Sequence, residues 1–106
     1  MKQIDDFLQE TASAVIAELP AEFTTRQFIW QFADAHEHAY IEMLLCARKT
    51  DQTRVFQSLH SYMGNYLSNY SKELAIIKLN QRKTDVNPFG RKTESQLWQK
   101  VSEREI

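Results

Sequence analysis

The fold turns on residues 74–101, LAIIKLNQRKTDVNPFGRKTESQLWQKV, where the helical periodicity of the upstream chain gives way to another pattern. Residues 74–80 are rich in apolar and β-branched residues, and 95–101 has strand character too. Between them, Asp85-Val86-Asn87-Pro88-Phe89-Gly90 holds one of two prolines and one of two glycines, which marks a turn. The reading is a C-terminal β-hairpin with a long tip. The tripeptide Arg-Lys-Thr stands on both sides of that tip, at 82–84 and 91–93.

Upstream the apolar spacing is helical. Ile4, Phe7, Leu8, Ala12, Val15 and Leu19 recur at three- and four-residue steps, predicting a helix over 4–19 that Pro20 stops. Thr24 is a natural N-cap for a helix over about 25–36 carrying Phe28, Ile29 and Phe32, and Glu22-Phe23-Thr24 suits a short extended segment. Tyr40, Met43, Leu44 and Ala47 either continue that helix or begin another; the pattern allows both. Residues 49–53 read as a loop in which Asp51 or Thr53 caps the next helix. From 55 to 70, Val55, Phe56, Leu59, Tyr62, Met63, Tyr66, Leu67 and Tyr70 form one apolar stripe, spanning about 120° of a helical wheel. Trp30, Trp98 and the three tyrosines of this stripe are assigned to the core, with the tyrosine hydroxyls at its rim.

At 106 residues, 42% apolar and 25% charged, the chain is expected to form a single globular domain over 1–106. Its parts would be the helix over 1–19, a core over 22–101 and a short tail over 102–106. No apolar run approaches the roughly 20 residues of a membrane span, and MKQIDDFLQE lacks the pattern of a secretory signal. Cys46 is alone. These features set the expectation of a cytoplasmic protein with no membrane partner. The net charge of −1 conceals a polarity along the chain. Residues 1–47 carry two cations against eight anions, and residues 48–106 eleven against six. An anionic partner for the second half is the physical implication.

The helix over 55–70 lacks Asp, Glu, Lys and Arg altogether. Opposite its apolar stripe stand Gln57, Ser61, Gly64, Asn65 and Ser68, small or amide side chains where a solvated helix ordinarily carries paired charges. Such groups suit base edges in a major groove, where Asn and Gln make paired hydrogen bonds and no carboxylate repels phosphate. An equally simple origin is a helix face packed against another protein. Arg82, Lys83, Arg91 and Lys92 at the hairpin tip are phosphate candidates, with Arg54 and Lys72 at the helix ends as further ones.

In order, these elements resemble a winged helix-turn-helix domain. The resemblance rests on HSYMGNYLSNYS, 60–71, as recognition helix and on the hairpin of 75–101 as wing, and it covers roughly 22–101. It implies a mainly α fold: a winged-helix-like three-helix core, an N-terminal helix and a C-terminal β-hairpin. It also implies that the 55–70 helix enters the major groove while the hairpin touches backbone or minor groove. The expected function is a noncatalytic duplex DNA-binding module, a transcriptional or mobile-element accessory regulator. Gln57, Ser61, Asn65 and Ser68 would read bases. The alternative is a protein-interaction module that meets an acidic partner through the same helix face and basic loop. Self-association is expected through Ile4, Phe7, Leu8 and Val15.

Other chemistry finds little purchase. His38, Glu42 and Cys46 share a helix face at four-residue steps, but no zinc motif accompanies them. No Gly-x-Ser-x-Gly turn is present, and two glycines cannot build a phosphate-cradling loop. Neither a cofactor, a metal nor an enzymatic activity is expected.

Overall fold

The chain runs α1 (Lys2–Ala17), β1 (Glu22–Thr24), α2 (Thr25–Ala35), α3 (Glu37–Thr50), α4 (Val55–Asn69), β2 (Ile76–Val86) and β3 (Lys92–Lys100). The structure is a computed structural model that describes residues 2–50, 53–86 and 92–101, without the side chains of 2, 3, 50, 81–86 and 92–94. It is mainly α: four helices and a three-stranded antiparallel sheet of order β1-β3-β2, which ends in the β2–β3 hairpin and meets the helices through α2.

Helix α1 buries Ile4, Leu8, Ala12, Val15 and Ile16. It ends as Glu18 and Leu19 donate their amides to the carbonyls of Val15 and Ile16, tightening the last turn before Pro20. The face expected to pair with a second copy is therefore turned inward. Ile4, Leu8 and Val15 belong to the protein's own core, and Phe7 packs against it.

Thr24 caps α2 as expected. Its hydroxyl accepts from the Gln27 amide at 3.1 Å, and the Gln27 side chain accepts from the Thr24 amide at 2.8 Å, a reciprocal capping box. Phe28, Ile29 and Phe32 point inward, but Trp30 is 37% exposed and is not a core anchor. It lies two residues on from Phe28, about 200° around the helix, off the apolar face.

The periodic run after His36 is a new helix. His36, with φ −135° and ψ 59°, breaks the helical path while its amide still bonds the Phe32 carbonyl. Three helices therefore separate β1 from the hairpin, which settles the alternative that the spacing left open. Met43 and Ala47 bury the inner face of α3.

The N-cap of α4 is Arg54, without a side-chain cap bond, so Thr53 does not fill that role, and Asp51 lies outside the described residues. Leu59, Met63, Tyr66 and Leu67 are buried. The stripe is narrower than its sequence suggests, because Phe56 and Tyr70 are exposed at the two ends of the helix.

Central strand β3 holds the sheet to the helices. Trp98 stands opposite Phe23 on β1 and Lys78 on β2, and is buried in the same core as Phe28 and Leu59. Its indole Nε1 donates to Thr25 Oγ1 at 2.9 Å. The amide of Arg26 donates to the hydroxyl of buried Ser95. Lys100 Nζ donates to the Leu19 carbonyl at 2.5 Å and reaches the Ala17 carbonyl at 3.5 Å, a cation placed on the C-terminal end of α1.

The ladder between β2 and β3 shifts between Lys78↔Trp98 and Arg82↔Gln96. Gln96 fills the irregularity by donating Nε2 to the carbonyls of Leu79 and Leu97. Beyond it the pairing runs on to Val86↔Lys92, so the strands reach much further than the 74–80 and 95–101 segments expected. Among the described residues no helix is long and apolar enough to cross a membrane.

Candidate functional site

The outward face of α4 carries the base-reading candidates. Gln57, Ser61, Asn65 and Ser68 are all exposed and recur at three- and four-residue spacing along one side of the helix. The apolar stripe opposite holds them there. With Leu59, Met63, Tyr66 and Leu67 fixed in the core, these four have only solvent to face.

Gly64 does not belong to that ridge. A Cβ built on it would sit 3.4 Å from Thr25 Cγ2, so this glycine lies at the crossing of α4 with the start of α2. Its open side faces another helix of the protein itself.

The charge of the face depends on His60, the one ionisable group on α4 besides its tyrosines. Burial, together with the nearby Arg26 guanidinium, pushes its imidazole down to about 4. At neutral pH the helix therefore carries no formal charge. The Tyr40 hydroxyl lies 2.7 Å from His60 Nε2, and burial pushes that phenol up to about 12.

Three aromatic rings surround the imidazole. Tyr40 of α3 stacks on it with centroids 6.1 Å apart, Trp30 of α2 meets it edge-on at 5.8 Å, and Phe56 of α4 approaches at 6.0 Å. Spacing along the chain does not assemble this group. A helical wheel of α2 carried the signal, since it sets Trp30 apart from Phe28, Ile29 and Phe32. At the far side of α4, Tyr62 donates to Asp5 Oδ1 at 2.6 Å, tying α4 to α1.

The basic residues are spread more widely than the ridge. Arg54 and Lys72 are exposed beyond the two ends of α4. Arg82 and Lys83 lie on β2 opposite Gln96 and Ser95, and Lys92 lies on β3 opposite Val86, within the ladder rather than in a tip. Arg91 lies outside the described residues. Lys100, part of the basic surplus of this half, bonds the end of α1 instead.

Among the described residues no three His, Cys, Asp or Glu side chains are grouped to hold a metal ion. Of the face suggested by spacing, His38 and Glu42 are exposed and Cys46 is half-buried.

No protein-family model, curated protein or solved structure matches the chain.

Proposed function

We propose that the protein binds duplex nucleic acid without catalysis, presenting α4 to the major groove and the β2–β3 hairpin to the phosphate backbone. The observation that carries this reading is the ridge Gln57, Ser61, Asn65 and Ser68, fully outward on a helix without formal charge at neutral pH. Desolvating such a face against base edges costs no ion its hydration, and each of its groups can both donate and accept hydrogen bonds. The element order and the β1-β3-β2 sheet are in keeping with the winged-helix resemblance, with α2, α3 and α4 as its three helices. Arg82, Lys83, Arg91 and Lys92 would hold phosphates, with Arg54 and Lys72 at the ends of the reading helix. A transcriptional or mobile-element accessory role applies if the site recognised is specific.

Fluorescence anisotropy with a random-sequence duplex tests the reading. Four phosphate contacts give a slope of about −3.6 in log K against log salt, a loss on the order of 100-fold between 50 and 200 mM. Changing Arg91 and Lys92 together to alanine should flatten the slope by about 1 for each lost contact. Absence of binding, or affinity indifferent to salt, removes nucleic acid as the ligand.

A second reading, docking to an acidic protein partner, is favoured by one observation. Trp30 and Phe56 are exposed around His60, next to Gln57, and large exposed aromatics are common at the centres of protein interfaces. Under that reading Trp30→Ala abolishes partner binding. Under the nucleic-acid reading it leaves duplex affinity within about twofold, because aromatic side chains of this kind read unstacked bases rather than duplex edges.

A further inference from the structure

Helix α3 has an outward ridge that neither the core nor the nucleic-acid face uses. Glu37, Ile41, Leu45 and Lys49 succeed one another at four-residue steps, and all four are exposed. Ile41 is 53% and Leu45 46% exposed, although Met43 and Ala47 on the inner side of the same helix are fully buried. An acid at the N-terminal end and a base at the C-terminal end are what any helix dipole favours. That preference does not account for two large aliphatic side chains set in solvent between them.

The order acid, aliphatic, aliphatic, base is complementary to its own reverse. If a second α3 is laid antiparallel about a two-fold axis through the level of Met43, Glu37 faces Lys49 of the copy. Ile41 then faces the copy's Leu45, and Lys49 faces its Glu37. Residues four apart form the ridges whose interdigitation gives the commonest helix crossing, near −50°. We propose that the protein forms an isologous dimer through the Glu37–Ile41–Leu45–Lys49 ridge of α3. A two-fold contact needs a self-complementary surface, and this ridge supplies both an apolar centre and a charge-matched rim. The proposal does not rest on the nucleic-acid reading.

One helix on each side buries less than the roughly 1,600 Å² of a standard interface, so the dimer is weak, in the micromolar range. Sedimentation equilibrium of the full chain, from about 1 µM to about 1 mM, reads it directly. The expected mass rises from the 12.5 kDa of one chain toward twice that value. Glu37→Lys and Lys49→Glu each set like charges opposite one another at both ends of the interface. Each should weaken association by about tenfold. Combining the two restores opposite charges and should return the dissociation constant to the native value. Leu45→Asp should leave a monomer at every concentration. The side chains changed are exposed, so the core of the monomer does not depend on them. Reversing an end charge opposes the dipole of α3 at a cost of about 0.3–1 kcal/mol, which urea unfolding of each variant measures separately from association. A native chain that stays monomeric throughout overturns the proposal, as does a double variant no tighter than either single one.

Discussion

The aromatic enclosure of His60 makes the stability of the protein depend on pH in a defined window. An unfolded imidazole titrates near 6.5. In the folded protein, burial among Trp30, Tyr40 and Phe56, with Arg26 nearby, lowers that value to about 4. Between those two values the unfolded chain binds a proton that the folded chain refuses. Stability contributed by neutral His60 is thus fully present above about pH 6.5, falls as pH drops, and levels off below about 4. The unscreened loss between pH 7 and pH 5 is about 1.8 kcal/mol. The imidazole retains some contact with water, and screening brings the expectation to about 1 kcal/mol. The assay is urea unfolding at half-unit steps from pH 7.5 to 4.5, for the native chain and for His60→Gln. Every other ionisable group is common to both proteins and cancels in the difference. The lost Tyr40 contact shifts the variant by a constant. What remains is the slope belonging to His60, and the native chain should lose about 1 kcal/mol more than the variant on going to pH 5. Parallel profiles, separated by the same interval at every pH, would refute the claim that this imidazole is held neutral.

Thr24→Ala removes the reciprocal cap of α2 and should cost about 1 kcal/mol, seen as a fall in melting temperature of about 4–8 °C. Gly64→Ala should stabilise by up to about 1 kcal/mol in urea unfolding, since the new methyl meets Thr25 Cγ2 at ordinary contact distance. It should leave duplex affinity unchanged, because Gly64 faces α2. Ala75 has φ 55° in the turn that leads into β2, so Ala75→Gly should gain about 1 kcal/mol by relieving a left-handed residue. A loss of stability in that variant would show that the turn tolerates the methyl group without strain.

Sequence and structure agree where one local signal suffices. Thr24, three residues before Gln27, announces the α2 cap, and the stripe through Leu59, Met63 and Leu67 announces α4. They part where a tertiary contact decides. Trp30 and Trp98 are the same residue type, yet Trp98 is buried and hydrogen-bonded to Thr25 while Trp30 is left at the surface. The break at His36 involves neither proline nor glycine, so nothing in the composition marks it. Residues 81–86, QRKTDV, have little intrinsic preference for strand, and their extension results from a ladder that begins at Ile76↔Lys100 and propagates outward. The ridge of Gln57, Ser61, Asn65 and Ser68 was legible because its opposite face was. The relation of α3 to that ridge was not, because it depends on where the chain turns.

Thr25 links the two parts that a nucleic-acid ligand would have to meet together. Its hydroxyl accepts from Trp98 on the central strand, and its methyl is turned toward Gly64 of α4, 3.4 Å from where a Cβ on that glycine would stand. One side chain at the start of a capped helix thus contacts both the strand that carries the hairpin and the helix that carries the ridge. Thr25→Val keeps the methyl contact and removes the acceptor, leaving the Trp98 Nε1–H without its partner in a buried ring. That should cost about 1–3 kcal/mol of stability, whereas Thr25→Ser, which keeps the hydroxyl, should cost less than half as much. If ridge and hairpin act as one surface, loosening this joint also weakens duplex binding at temperatures where both variants remain folded. The loss should fall on affinity without changing the salt slope, because every cation is still present. A Thr25→Val protein that is destabilised yet binds duplex as tightly as the native chain would show that the ridge and the hairpin do not need a fixed spacing.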